Sequence, residues 1–222
     1  MGRRVTHVLF DLDGTLADTA PDLGAALNQV LLEHGREALP LDAIRPWASR
    51  GGAALVRLGF GIDEAHPEFA SLRDAFLRRY REGIAVRTVL FPGIGELLVE
   101  LEAAGYPWGI VTNKISQLTE PLLDELGLKA RTACVVSGDT AARPKPHPDP
   151  LLHASALLKC RPAQIVYVGD DQRDVEAGRG AGTATVVARY GYLQPTDQPD
   201  RWGADQVIDH PLELLAWLAR AG

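Results

Sequence analysis

From Pro92 onward, short apolar runs rich in Val and Ile alternate with segments of helical periodicity, and this alternation leaves the chain few architectures. The spacing predicts helices over 94–104, 116–126, 150–159, 173–181 and 211–220, with strands at YPWGIVT, TACVV, IVYVG, TATVVA and QVI. Apolar strands separated by helices build a parallel sheet covered on both faces. The run VTHVLF at 5–10 supplies one more strand, and between it and Pro92 the pattern is helical only. Leu23, Leu27, Val30 and Leu31 recur at helical spacing behind Asp18, Thr19 and Pro21. A patch around Ile44 and Trp47 is interrupted by Pro46, Gly51 and Gly52, and a short stretch through Leu55 and Leu58 follows. Phe69, Leu72, Phe76 and Tyr80 then form an amphipathic helix with Arg73, Arg78, Arg79 and Arg81 on its polar face. The expected fold is an α/β, Rossmann-like parallel sheet with an all-helical insertion after the first strand. Loops near 15–20 and 85–92 bound a core of 1–17 and 88–222 and an insertion of 18–87.

Composition narrows the partners. A formal net charge of −6 argues against nucleic acid or an anionic membrane as the main partner, which leaves a small molecule as the expected ligand. Cys134 and Cys160 are the only cysteines, so neither a disulfide framework nor a zinc cluster is expected, and a reducing, cytoplasmic setting follows. No apolar run approaches the roughly 18 residues of a membrane span, so neither export nor membrane insertion is expected. MGRRVT matches the myristoylation pattern, but Gly2 lies three residues from the first strand and the match is read as chance. Nothing in the sequence separates monomer from dimer.

The chemistry starts where the first strand stops, at DLDGTLADT. Side chains two apart on a strand point the same way, so Asp11 and Asp13 sit side by side at its end. Two such carboxylates need a cation or a shared proton to relieve their repulsion. Ligands of open parallel sheets bind at the carboxyl ends of the strands, and the other polar residues fall there too. Thr112 and Asn113 end YPWGIV, where capping of the next helix is their plainer role. GDDQRD at 169–174 ends IVYV, with Asp170 at the tip and Asp174 one helical turn on, while Asp170 and Asp171 also suit a turn. Lys145 stands out because the chain carries 19 Arg and only 4 Lys, which makes a compact ammonium there noteworthy. Carboxylates gathered at strand ends form an all-oxygen site suited to Mg²⁺, and the metal with Lys145 and a Thr hydroxyl would make a phosphate site.

In this order and spacing the motifs resemble those of the haloacid dehalogenase superfamily across the whole chain. DLDGTLAD is similar to its first motif, VTNK to its second, the Lys145 loop to its third and GDDQRD to its fourth. The helical insertion resembles the family's C1-type cap. Within the superfamily the chain looks most like the phosphoglycolate phosphatase group. The tail RYGYLQPTDQPDRWGADQVIDHPLEL, with GDDQRDVEAGR, is similar to the branch acting on N-acetylmuramic acid 6-phosphate. The resemblance implies that Asp11 is the nucleophile and Asp13 the general acid and base. It implies Mg²⁺ held by the Asp11 carboxylate, the Asp13 carbonyl and Asp170, with Asp174 or Asp171 behind them. Thr112, the Asn113 backbone and Lys145 would hold the phosphoryl oxygens. Arg50, Gly51 and Gly52 are the candidate reading loop of the cap, since glycines let backbone approach a ligand and Arg50 can pair with a carboxylate, although a plain helix break explains them equally well. Asp13 speaks against a dehalogenase or phosphonatase, which would lack that acid. A sugar phosphomutase and, from another class, a phosphoacceptor receiver module are the competing readings, and a receiver would lack the helical insertion.

Overall fold

The computed structural model describes residues 5–221; the myristoylation match at Gly2 lies outside them. The chain enters the sheet on β1 (His7–Phe10) and makes a short β2 (Ala17–Asp18). It then runs through helices α1 (Ala20–Glu33), α2 (Leu41–Ile44), a 3-10 helix at Arg45–Arg50, α3 (Gly51–Phe60) and α4 (Phe69–Glu82). It returns on β3 (Val89–Leu90) and alternates through α5 (Ile94–Ala103), β4 (Trp108–Val111), α6 (Ser116–Glu125), β5 (Val135–Val136) and α7 (Asp149–Leu157). The remainder is β6 (Ile165–Gly169), α8 (Gln172–Ala181), β7 (Ala184–Ala188), β8 (Gln206–Ile208) and α9 (Glu213–Ala221). None of the described helices is long and apolar enough to cross a membrane.

The six-stranded sheet has the order β5-β4-β1-β6-β7-β8, and every pairing in it is parallel. β1 lies between β4 and β6, so the chain builds outward on one side of β1 and then crosses to the other. That reversal opens a crevice at the carboxyl ends of β1, β4 and β6. The strands are apolar throughout because helices cover both faces: Val8, Phe10, Ile110, Val166 and Val168 are buried on one side, and Leu9, Val111, Ile165 and Tyr167 on the other.

In the helical block, Leu23, Leu27, Val30 and Leu31 of α1 are buried with Leu55 and Val56 of α3 and Leu72, Phe76 and Tyr80 of α4, and α1 packs along α4. Two features join the block to the sheet. β2 and β3 pair antiparallel, Ala17 opposite Leu90 and Asp18 opposite Val89, a two-strand link that the sequence pattern does not reveal. Asp22, buried in the first turn of α1, accepts from the Arg87 and Thr88 amides at 2.8–3.0 Å and from Thr88 Oγ1 at 2.7 Å. One carboxylate thus ties the outgoing chain to the returning one.

Removing that carboxylate strands the buried Thr88 amide and hydroxyl and the partly buried Arg87 amide. Asp22→Ala is expected to destabilise the fold by about 2–4 kcal/mol, read as a lower urea midpoint at unchanged slope. A loss under about 0.5 kcal/mol, the range of ordinary surface substitutions, would show that water replaces Asp22 freely.

Candidate active site

β1 delivers Asp11 and Asp13 to the crevice, both nearly buried. The turn after them depends on Gly14, whose φ of +84° favours glycine and where a Cβ would strike the Asp170 carboxylate. β6 delivers Asp170, and α8 begins immediately behind it with Asp171 as N-cap. The Asp171 side chain accepts from the Arg173 amide at 2.9 Å, and Asp174 accepts from the Asp171 amide at 3.0 Å, a reciprocal cap that fixes Asp174 beneath the site. Asp11, Asp170 and Asp174 each offer a carboxylate oxygen within 4.8 Å of the others.

Lys145 sits inside this cluster. Its Nζ lies 2.9 Å from Asp11 Oδ1 and 2.7 Å from Asp174 Oδ1, and it donates to Tyr167 Oη at 2.8 Å. Asn113 holds the lysine's loop with both ends of its amide: Nδ2 donates to the Lys145 carbonyl and Oδ1 accepts from the Lys145 amide, each at 3.0 Å. Thr112 ends β4 fully buried, its Oγ1 accepting from the Lys114 amide at 3.1 Å. The side chains of Asn113 and Thr112 therefore shape the turn that follows β4, as well as lining the crevice.

Burial dominates the electrostatics. It pushes Asp11 up to about 7, against the attraction of Lys145 and with the repulsion of Asp174. Burial, then Asp11 and Asp174, lift Asp170 well above the carboxylate range. Burial works against the Lys145 ammonium, but Asp11 and Asp174 outweigh it and hold the lysine above its ordinary value. One cation thus serves three buried carboxylates. Asp11 Oδ1 has no donor aligned on it as a hydrogen bond, Lys145 notwithstanding. An all-oxygen donor set short of positive charge, with an unsatisfied carboxylate oxygen, suits a hard divalent cation. Asp174 is the carboxylate adjoining Asp11 and Asp170, whereas Asp171 turns away into a fork with Arg173 at 2.8 and 2.9 Å.

A cavity of about 300 Å³ opens between sheet and helical block, with Asp11, Asp13, Thr112 and Lys145 on one wall and Arg50 and Phe76 on the other. Arg50 is partly exposed, 3.8 Å from Asp197 Oδ1, with its guanidinium 5.5 Å from the centre of the Trp47 ring. Gly51 adopts φ +78° at the entry to α3, and Gly52 packs against Phe76, where a Cβ would be 3.0 Å from the ring. The helical block reaches the carboxylates through Ser49, whose Oγ lies 2.8 Å from Asp170 Oδ2 and 3.0 Å from the Asp13 carbonyl. The Ser49 carbonyl accepts from Arg173 at 3.0 Å.

Several groups at the site are absent from the sequence expectation. Thr15 and the Tyr192 amide donate to Asp170 at 3.0 and 2.9 Å, and Thr19 Oγ1 donates to Asp13 Oδ1 at 2.5 Å. Lys114 Nζ lies 3.1 Å from Asp13 Oδ1 and 3.2 Å from Tyr80 Oη. Thr15 and Lys114 lie within the quoted motifs DLDGTLAD and VTNK, but neither is singled out there as a site residue.

The profile of the haloacid dehalogenase-like hydrolases matches residues 8–188, from β1 through β7. The chain belongs to that family. It is 46% identical over 95% of both chains to an N-acetylmuramic acid 6-phosphate phosphatase of Pseudomonas putida. It is 43% identical to a phosphoglycolate phosphatase of Xanthomonas campestris pv. campestris, over 95% of this chain and 96% of the other. The crystal structure of a predicted phosphoglycolate phosphatase from Haemophilus somnus superposes with a TM-score of 0.86 at 27% identity, covering 96% of this chain and 98% of that one. The protein is a phosphatase of the haloacid dehalogenase-like family.

The two-point grip of Asn113 on the Lys145 loop is its most exposed dependency. Asn113→Ala removes both hydrogen bonds and is expected to lower kcat by roughly 10- to 100-fold, the cost of about 1.4–2.7 kcal/mol of lost positioning, with a smaller change in KM. Unchanged kcat in steady-state assays, with an unchanged melting temperature, would show that the loop holds itself.

Proposed function

We propose that this phosphatase hydrolyses a small carboxylate-bearing phosphate monoester with Mg²⁺ bound at the carboxylate cluster, through an aspartyl-phosphate on Asp11. N-acetylmuramic acid 6-phosphate and 2-phosphoglycolate, the substrates named for its relatives, are the best candidates. The observation that carries the reading is the arrangement of Asp11: buried at the end of β1, 2.9 Å from Lys145, and followed two residues later by a second carboxylate on the same cavity.

In the first half-reaction an Asp11 carboxylate oxygen attacks phosphorus in line while the phosphorus–oxygen bond to the organic group breaks. Asp13 gives its proton to the departing oxygen. In the second half-reaction Asp13 takes a proton from water, the water oxygen attacks phosphorus, and Asp11 leaves as a carboxylate with inorganic phosphate as product. Lys145, with the Thr112 hydroxyl and the backbone at Asn113, offsets charge on the equatorial phosphoryl oxygens. The Asp11 and Asp170 carboxylates and the Asp13 carbonyl would hold Mg²⁺, with Asp174 behind them. The metal, when bound, supplies the positive charge that lets Asp11 and Asp170 ionise together and that offsets the phosphoryl group.

Residues 18–87 act in this reading as a cap over the core of 1–17 and 88–222, excluding water from the cavity and meeting the organic part of the substrate. Arg50, Gly51 and Gly52 lie at its inner edge. The cavity is at the small end of ligand pockets, which are roughly 300–1,000 Å³, and admits one sugar or less.

The test is phosphate release from a panel holding both candidate substrates, sugar phosphates and an aryl phosphate, with and without excess chelator. Release confined to Mg²⁺-supplemented protein, and lowered at least about a thousandfold by Asp11→Asn as expected for a lost nucleophile, is the expected result. Full activity in excess chelator removes the metal from the account, and an isomerised sugar phosphate in place of free phosphate indicates a mutase.

A further inference from the structure

The Lys114 ammonium has no part in the chemistry above, yet it is as buried as the groups that do. Its side chain is only 6% exposed. The turn after β4 fixes its backbone: the amide donates to Thr112 Oγ1 at 3.1 Å, and the carbonyl accepts from the Gly138 amide at 2.9 Å and from Thr119 Oγ1 at 3.1 Å. Nζ sits between Asp13 Oδ1 at 3.1 Å and Tyr80, 3.2 Å from the phenol oxygen and 4.5 Å from the ring centre. Tyr80 comes from α4 and Lys114 from the sheet side, so this contact spans the cavity that both line with Asp13.

An ammonium carries three donors, and among the described residues Asp13 and Tyr80 are its only acceptors. One donor is left for a ligand. The departing ester oxygen must come within about 2.8 Å of an Asp13 carboxyl oxygen to receive its proton. Nζ, 3.1 Å from Oδ1, then lies roughly 6 Å or less from that oxygen if Oδ1 gives the proton and roughly 8 Å or less if Oδ2 does, so a ligand oxygen in hydrogen bond with Nζ lies within about 9–11 Å. The carboxylates of 2-phosphoglycolate and of N-acetylmuramic acid 6-phosphate both fall inside that reach. Arg50 is a weaker candidate for the same role, because its side chain is 39% exposed and faces Asp197 and Trp47. A desolvated cation distinguishes an anion from a neutral group far better than a solvated one does.

We propose that Lys114, steadied by Tyr80, is the cation that takes the substrate's carboxylate and so sets the specificity of the site. The inference rests on the carboxylate-bearing substrate proposed above and replaces Arg50 in that role.

Two ester pairs test it: 2-phosphoglycolate against ethyl phosphate, in which a methyl replaces the carboxylate, and N-acetylmuramic acid 6-phosphate against N-acetylglucosamine 6-phosphate, which lacks the lactyl ether that carries it. The readout is the ratio of kcat/KM within a pair, with KM and kcat resolved, for the wild type, Lys114→Met and Arg50→Ala. In the pair the wild type prefers, Lys114→Met is expected to lower the ratio about tenfold or more, mostly through KM of the carboxylated member. Arg50→Ala should change it less than about threefold. Equal losses on both members in Lys114→Met would mean that the lysine acts only on Asp13, and collapse of the ratio in Arg50→Ala would return the role to the arginine; either overturns the proposal. If Lys114→Met does not fold, Tyr80→Phe keeps the ammonium but removes its brace, and a higher KM for the carboxylated member alone is then expected; no selective change counts against the proposal. A wild-type ratio near one in both pairs removes the carboxylate reading and this proposal together, while absence of phosphate release from every ester removes the functional reading itself.

Discussion

The site is organised around one ammonium among buried carboxylates. Lys145 lies within 2.9 Å of Asp11 and 2.7 Å of Asp174, and without it three buried carboxylates would share the site with no cation among them. Taking an ion out of water costs several kcal/mol even after relaxation, and a buried pair recovers this only when its remaining donors and acceptors are satisfied. The surrounding fold meets that condition. Tyr167 and the Val111 carbonyl complete the shell of Lys145, the α8 cap occupies the second oxygen of Asp174, and Thr15, Ser49 and the Tyr192 amide occupy Asp170. Asp11 is the carboxylate this shell engages least: Lys145 lies 2.9 Å from its Oδ1 without aligning on it as a hydrogen bond.

The same network joins parts of the chain far apart in sequence. Tyr192 touches Asp170 through its amide, while its phenol donates to Asp18 at 2.7 Å and accepts from the Ala20 amide at 2.9 Å, where the chain leaves the sheet for α1. Arg45 of the helical block donates to the same Asp18 oxygen at 2.7 Å. The close approach is possible because residue 191 is glycine; a Cβ there would collide with the Gly14 carbonyl and Asp170. The loop after β7 therefore braces both a carboxylate of the cluster and the base of the helical block, and Ser49 returns from that block to the same carboxylate. The site and the helices above it are held by shared atoms.

Much of this was legible in the sequence, for identifiable reasons. The alternation beyond Pro92 encodes the sheet, since a parallel strand buried on both faces has to be apolar throughout, and IVYVG and QVI stand where the runs put them. Asp11, Asp170 and Asp174 were readable because carboxylates at strand ends have few roles, and they do converge. The β2–β3 link was not, because two-residue strands leave no periodicity. TACVV shortened to Val135–Val136 at the sheet edge, where only one neighbour, β4, imposes pairing. Thr19, Ser49, Tyr80, Tyr167 and Tyr192 were invisible as site residues because their polar atoms reach the cluster by tertiary contact. Tyr80 and Tyr167 in particular read as core by their apolar rings, and the phenol oxygen that matters adds nothing to a hydrophobic pattern.

Covalent transfer of the phosphoryl group to Asp11 is the step on which the proposed chemistry turns. It is tested most directly by quenching the enzyme with acid at successive times during a single turnover of an accepted ester and mapping phosphorylated peptides by mass spectrometry. A transient phosphoryl group is expected on the peptide containing Asp11, at that residue and absent in Asp11→Asn, rising before free phosphate and decaying as it appears. Stoichiometric phosphate release with no phosphorylated peptide at any quench time, or a phosphoryl group on another residue, would contradict it.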